Sequence, residues 1–263
     1  MKFAFDLISD LHADLWDPID WTYRATSPFC VVAGDIADDH STVAQILTEL
    51  GQWYQGVFYI DGNDEHRAYY NNLGDSYRSL NEHVGNIENV IYLQDNLIIV
   101  NGVAILATNG WWTYDLDSSI DPEYTVKWFQ EKHHLTQEEA HTMRTMAIED
   151  FQYMTNSLTR AQTMPDIKKV VLVTHTVPDS RLVDHDFRLT KDYQFNCIGN
   201  ALMREVLRVD LEQKVAVWCF GHYHSPVDRK ISRVRYVNNC RGRPGSLWGR
   251  SVYHPLKIEI DLD

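Results

Sequence analysis

The chain has 263 residues, 44% of them hydrophobic and 12% aromatic, enough for a buried core in one large domain or two small ones. Its formal charge of −13 argues against a protein whose main work is a nonspecific grip on nucleic acid, because that affinity comes from lysine and arginine displacing counterions, without excluding nucleic acid as a partner. No apolar run approaches the ~20 residues needed to span a bilayer, and the start MKFAFDLISDLH turns polar too early for a signal peptide, so a cytoplasmic protein without a membrane partner is expected.

In chain order, the first element is FAFDLIS, an apolar run that reads as a strand and runs out into Asp10-Leu11-His12. FCVVAG is the second strand and ends at Asp35; a helical pattern, TVAQILTELGQWY, follows it. VFYI then leads through Gly62 into Asn63-Asp64-Glu65-His66. VIYL, LIIV and VAILA succeed one another between 88 and 108 without helices, which predicts an antiparallel portion. The stretch from about 114 to 165 reads as an acidic, mostly helical insertion, a cap over a site or an oligomer contact. Its long helix, from about 136 to 162, opens on Thr136-Gln137-Glu138-Glu139, a capping-box signature. Strands resume with VVLVT, ending at His175, and VAVWCF, ending at Gly221-His222-Tyr223-His224, followed by VRYV and LKIEI. Strands alternating with helices predict a mixed α/β chain whose sheets are covered on their faces. With no linker or repeat, residues 1–263 read as a single domain carrying the insertion. The four cysteines show no C-x-x-C spacing and indicate neither a disulfide framework nor a zinc knuckle.

Five strand ends carry polar residues that could bind one centre: Asp10 and His12, Asp35, Asn63, His175, and His222 with His224. Sites in open α/β sheets form beyond the carboxyl ends of strands, so these side chains can converge although they are far apart in sequence. Asp-x-His alone says little, since it recurs as Asp38-Asp39-His40 and Asp64-Glu65-His66; only the first lies at a strand end. Imidazoles, carboxylates and an amide, with no thiolate, suit manganese, iron, zinc or nickel. Seven candidate ligands are too many for one ion and suit two that share a carboxylate, an arrangement that clamps the oxygens of an in-line displacement at phosphorus.

The series Asp10-x-His12, Gly34-Asp35, Gly62-Asn63, His175 and Gly221-His222-x-His224, in that order, resembles the calcineurin-like metallophosphoesterases. The resemblance implies two mixed β-sheets packed as a sandwich flanked by helices, and a metal-dependent phosphoester hydrolase using a dinuclear centre and a bridging hydroxide. It also implies one divalent ion on Asp10, His12, Asp35 and His224, the other on Asp35, Asn63, His175 and His222, with Asp35 as the bridge. Asn239 and Arg241 in VNNCRG look like the stretch that follows Gly-His-x-His in that family.

One position departs from the pattern: where the family usually has a histidine after Gly-Asn, this chain has Asp64. A carboxylate beside two dications is a poor proton donor, which leaves His66 to swing in or a site without a strong general acid. The second option favours a nucleotide-like phosphodiester or phosphoanhydride as substrate; a phosphomonoesterase or protein phosphatase, a nuclease, and a catalytically weak metal-containing binding protein are the alternatives. Trp111 and Trp112, with Tyr114, are candidates to stack a planar group, unless one tryptophan is simply core. Arg241 and Arg243 are candidates for phosphate contacts. Arg229, Lys230, Arg233 and Arg235 read equally as a charged edge that discourages strand pairing. His133, His134, His141 and His185 receive no role.

Overall fold

The structure is a computed structural model and describes residues 1–184 and 193–263; His185 lies outside the described residues. Strands β1 (Lys2–Ile8), β2 (Phe29–Ala33), β3 (Gly56–Ile60), β4 (Val90–Tyr92) and β11 (Leu256–Asp261) form one sheet in the order β11-β1-β2-β3-β4. It is parallel from β1 to β4, with β11 antiparallel at the edge. Strands β5 (Asn96–Val100), β6 (Val103–Thr108), β7 (Lys169–Thr174), β8 (Val215–Cys219), β9 (Val227–Ile231) and β10 (Val234–Asn238) form the second, ordered β5-β6-β7-β8-β10-β9. Its β6, β7, β8 and β10 are parallel, and its two edge strands are antiparallel.

Alternation along the strands explains the packing. Phe3, Phe5 and Leu7 of β1, Val31 and Ala33 of β2, and Val103, Ile105 and Ala107 of β6 point between the sheets. Their neighbours Ile8, Cys30 and Val32 face helices α1 (His40–Gly51) and α2 (Leu73–Val84). Ala104 and Leu106 face Met154, Leu158 and Ala161 of α4 (Gln137–Thr163). Strands buried on both faces need continuous apolar runs, which is why these segments stand out in the sequence. The four cysteines are buried free thiols.

The long helix starts as its capping box predicts: Thr136 accepts from the Glu139 N–H at 3.2 Å and Glu139 from the Thr136 N–H at 2.7 Å. Two expectations need correction. Only β5 and β6 between 88 and 108 are antiparallel, because β4 leaves for the other sheet and pairs in parallel with β3. The run VDRKI is a strand, β9, which the period-two reading misses because Asp228, Arg229 and Lys230 are all exposed at the sheet edge. In the acidic stretch, the C-terminal half of α4 is a layer over the second sheet, while α3 (Pro122–His133) packs with Trp112 and Tyr114. Among the described residues no helix is long and apolar enough to cross a membrane.

Candidate metal centre

The parallel strands of both sheets deliver their carboxyl ends to one edge, and backbone bonds across that edge fix the loops. Asp10 N–H donates to the Gly34 carbonyl (3.0 Å), His12 N–H to the Asp35 carbonyl (3.1 Å) and Gly221 N–H to the His175 carbonyl (2.8 Å). Glycine before three of the ligands, Asp35, Asn63 and His222, permits this approach: a methyl on Gly62 would sit 2.6 Å from Asp35 N and 2.7 Å from His175 Cε1. Asp10, His12, Asp35 and His222 hold φ of 50°, 44°, 54° and 62°. Non-glycine residues adopt this left-handed region only when surrounding contacts impose it, and such strain concentrates at functional sites.

The ligand atoms of Asp10, His12, Asp35 and His224 lie within 4.8 Å of one another, and so do those of Asp35, His175 and His222. Asp35 belongs to both groups. Asn63 joins the second through its amide oxygen, 3.2 Å from His175 Nε2. All seven residues expected to gather therefore do so.

The ring orientations follow from partners outside the cluster. His175 donates from Nδ1 to the Ala33 carbonyl (2.9 Å), which leaves Nε2 for the cluster. His222 donates from Nε2 to the Cys197 carbonyl (3.1 Å) and stacks on Trp112, which turns its Nδ1 inward. His12 gives Nδ1 to Asp64 (3.1 Å), so its Nε2 faces the His224 Nε2 at 2.9 Å. Partners of this kind set which nitrogen keeps its lone pair for a metal.

The electrostatics call for positive charge at the centre. Burial alone would raise Asp35, yet the His175 imidazole beside it holds its carboxyl well below the usual range. Burial would lower His175, yet the Asp35 carboxylate pushes it up to about 10. Burial and the charge on His175 push His222 down to about 4. Asp10 Oδ2 is buried without a hydrogen-bond partner, although a buried carboxylate oxygen is costly unless paired. An orphaned carboxylate oxygen, converging imidazole lone pairs and an amide oxygen fit divalent cations.

The remaining candidates distribute differently. Asp64 is buried at the cluster: its N–H donates to Asp35 Oδ1 (2.8 Å), and its carboxylate accepts from Asn63 Nδ2 (2.9 Å), His12, Arg67 and Arg243. His66 does not swing in. It is fully buried, bonded through Nε2 to Asp61 (2.8 Å) and through Nδ1 to the Ser76 hydroxyl (2.7 Å), and so has no nitrogen for a substrate. Arg241 is also withdrawn, donating to the Asp17 carbonyl (3.1 Å) and lying 4.9 Å over the Trp16 ring, because the loop after β10 folds back on the N-terminal loop. Arg243 does reach the cavity beside the cluster. Trp111 and Tyr114 are core: Trp111 donates to the Tyr77 hydroxyl (2.8 Å) and Tyr114 to the Ala140 carbonyl (2.8 Å). Trp112 lines the cavity, but its ring face is covered by His222.

That cavity, about 930 Å³, opens on Asp35, Asn63, His222 and His224. Its far wall is mostly aromatic, from Tyr70, from Trp128, Phe129 and His133 on α3, and from Trp248 on the loop after β10, with aliphatic Leu247 beside it. None of these was singled out from the sequence, since an aromatic residue on an amphipathic helix looks like core. Glu65 was missed as well, although it stands only two residues after Asn63. Its buried carboxylate accepts from the N–H groups of Asp35 (3.1 Å), Ile36 (2.7 Å) and Gly62 (2.9 Å), tying the β2 and β3 loops together. Burial and the Asp35 charge push Glu65 up to about 8.

No family model matches the sequence. An uncharacterized protein, L509, of Acanthamoeba polyphaga mimivirus is 22% identical over 246 residues, covering 82% of this chain and 83% of that protein. Among solved structures, the phosphopantetheinyl hydrolase of Mycobacterium tuberculosis superposes with a TM-score of 0.66 at 17% identity, over 92% of this chain and 90% of that one. A candidate 5′-nucleotidase from Staphylococcus aureus gives a TM-score of 0.45 at 15% identity, over 92% of this chain and 49% of that one. The chain has the calcineurin-like metallophosphoesterase fold, two mixed sheets flanked by helices.

Proposed function

We propose that the chain is a metal-dependent hydrolase of phosphate esters that acts on small, nucleotide-like diesters or anhydrides. The observation that carries this reading is the pair of overlapping ligand sets sharing Asp35 at the floor of a cavity with an aromatic wall. Its fold likeness to a phosphopantetheinyl hydrolase agrees with it.

Asp10, His12, Asp35 and His224 would hold one cation, and Asp35, Asn63, His175 and His222 the other. When bound, such a pair supplies Lewis-acid activation of water and neutralises phosphoryl charge; the donor set suits manganese, iron, zinc or nickel. The chain contributes orientation. Asp64 fixes the His12 tautomer and, by accepting from Asn63 Nδ2, turns the Asn63 amide oxygen inward. The walls formed by Trp112 and Phe129 keep bulk water from one side of the cluster. Among the described residues, neither Asp64 nor His66 is placed to give up a proton, since both Asp64 oxygens accept hydrogen bonds and His66 is committed to Asp61 and Ser76. General acid help is worth ~10²- to 10⁴-fold, so the substrates that tolerate its loss are those with a stable leaving anion.

The test is turnover with manganese on para-nitrophenyl phosphate, bis(para-nitrophenyl) phosphate, dinucleoside polyphosphates and cyclic nucleotides. Preference for diesters or anhydrides, abolished by a chelator and restored by manganese, is expected. Preference for the monoester, or activity indifferent to chelation, counts against the proposal.

A further inference from the structure

Beside the cluster, two arginines meet on one carboxylate. Arg67, in the 3₁₀ turn Asp64–Tyr69, approaches Asp64 Oδ1 at 2.8 Å and Asp38 Oδ2 at 3.6 Å. Arg243 pairs with Asp64 Oδ2 from the loop after β10. The Asp64 side chain is 1% exposed, whereas those of Arg67 and Arg243 are 40% and 33% exposed. The carboxylate is thus a buried anchor, and the guanidiniums are its accessible ends, both on the cavity wall. Asp64 also touches His12 and Asp35, so the arginines stand one side chain away from the ligands.

Holding the loops together would need only one such pair. Each guanidinium carries five N–H donors in a planar fork that matches phosphate oxygens. Arg243 spends one nitrogen on Asp64 and Arg67 two on carboxylates, which leaves donors for the cavity. A third cation, Lys132, also lines the cavity, 4.5 Å over the Trp128 ring. In a chain of net charge −13, the cavity lining balances these three cations against three carboxylates, Asp35, Asp64 and Asp184, and it is the N–H donors left over on the guanidiniums that can receive an anion.

We infer that Arg67 and Arg243, anchored by Asp64, form the recognition site for a second phosphate on the substrate. The inference rests on the phosphoesterase reading of the same site. The cluster takes the phosphoryl group that is cut, and the arginine pair takes its neighbour. The substrate class narrows to anhydrides and to diesters bearing a further phosphate, over diesters with a single charge. The same geometry accounts for a carboxylate at position 64, since an imidazole there could not accept from two guanidiniums.

Calorimetry on manganese-loaded protein tests the pair through binding rather than turnover, comparing methylenebisphosphonate, whose P–C–P bridge is not hydrolysed, with orthophosphate and adenosine 3′,5′-bisphosphate with adenosine 5′-monophosphate. Wild type is expected to bind the doubly phosphorylated member of at least one pair tenfold or more tightly. Arg67→Ala and Arg243→Ala should each erase most of that ratio, and Arg243→Lys should restore only part of it, with melting curves recorded alongside to show that every variant is folded. Ratios of unity in both pairs for wild type, or ratios unchanged in both alanine variants, overturn the inference. A wild type that shows the expected ratios yet hydrolyses no ester supports the phosphate site and refutes the phosphoesterase. Hydrolysis of bis(para-nitrophenyl) phosphate with ratios of unity does the reverse.

Discussion

Asp64→Asn separates a positioning role from a proton-donor role. The wild-type side chain accepts from His12 Nδ1 and Arg243 on one oxygen and from Asn63 Nδ2 and Arg67 on the other. Asparagine keeps only one pure acceptor. If its Nδ2 faces His12, two donors meet, and His12 must move its proton to Nε2, losing the lone pair that points at the cluster. If its Nδ2 faces Asn63, that amide must turn its oxygen away. Either way one ligand is lost. Removing a partner that orients a metal ligand typically weakens affinity ~10- to 100-fold, or about 1.4–2.8 kcal/mol at about 1.4 per decade. The fold should survive, because Arg67 and Arg243 are 40% and 33% exposed and solvent screens the charge they lose. Manganese affinity by chelator competition, with thermal melting alongside, measures both effects. Two ions bound at wild-type affinity would refute the reasoning; a fall in kcat alone would mean that Asp64 acts on the reaction directly.

Three further outcomes are expected. Gly62→Ala forces a methyl between Asp35 and His175, so metal content after purification should fall together with melting temperature; a variant with full metal occupancy argues against the close approach. Trp248→Ala, at a 47% exposed rim position, should raise KM for nucleoside esters with little change in stability, whereas Trp111→Ala, fully buried, should cost ~3–5 kcal/mol; the reverse pattern in KM and denaturant midpoints would make Trp111 the stacking residue. Burial, with the Asp95 charge, holds the Asp150 carboxyl well above its ordinary 3.8. A raised folded-state value means the native state binds that proton more tightly, so the stabilisation is complete below pH 4 or so and is lost as pH rises. Urea unfolding should therefore show stability falling above about pH 4 by at most ~1.4 kcal/mol per pH unit for one proton. Asp150→Asn, which can still accept from the Gly110 and Trp111 N–H groups, should flatten that slope, and an unchanged slope would sink the assignment.

The strands of the two sheets were legible because burial on both faces demands apolar runs, and the ligands were legible because each follows such a run. The edge strand β9 was not, since an exposed edge has no core face to mark it. What the sequence determined by itself was this local register: Asp10 and His12 after β1, Asp35 after β2, Asn63 after β3, His175 after β7, and His222 and His224 after β8. Only the tertiary structure decided where side chains beyond the strand ends point. It turned His66 into Asp61 and Ser76, sent Arg241 back to Asp17, buried Trp111, and brought Arg67 and Arg243 to Asp64. The reason is physical: a strand's alternation fixes the direction of its side chains from within the segment, whereas a loop residue takes its direction from partners that lie, for Asp64 and Arg243, 179 positions away along the chain.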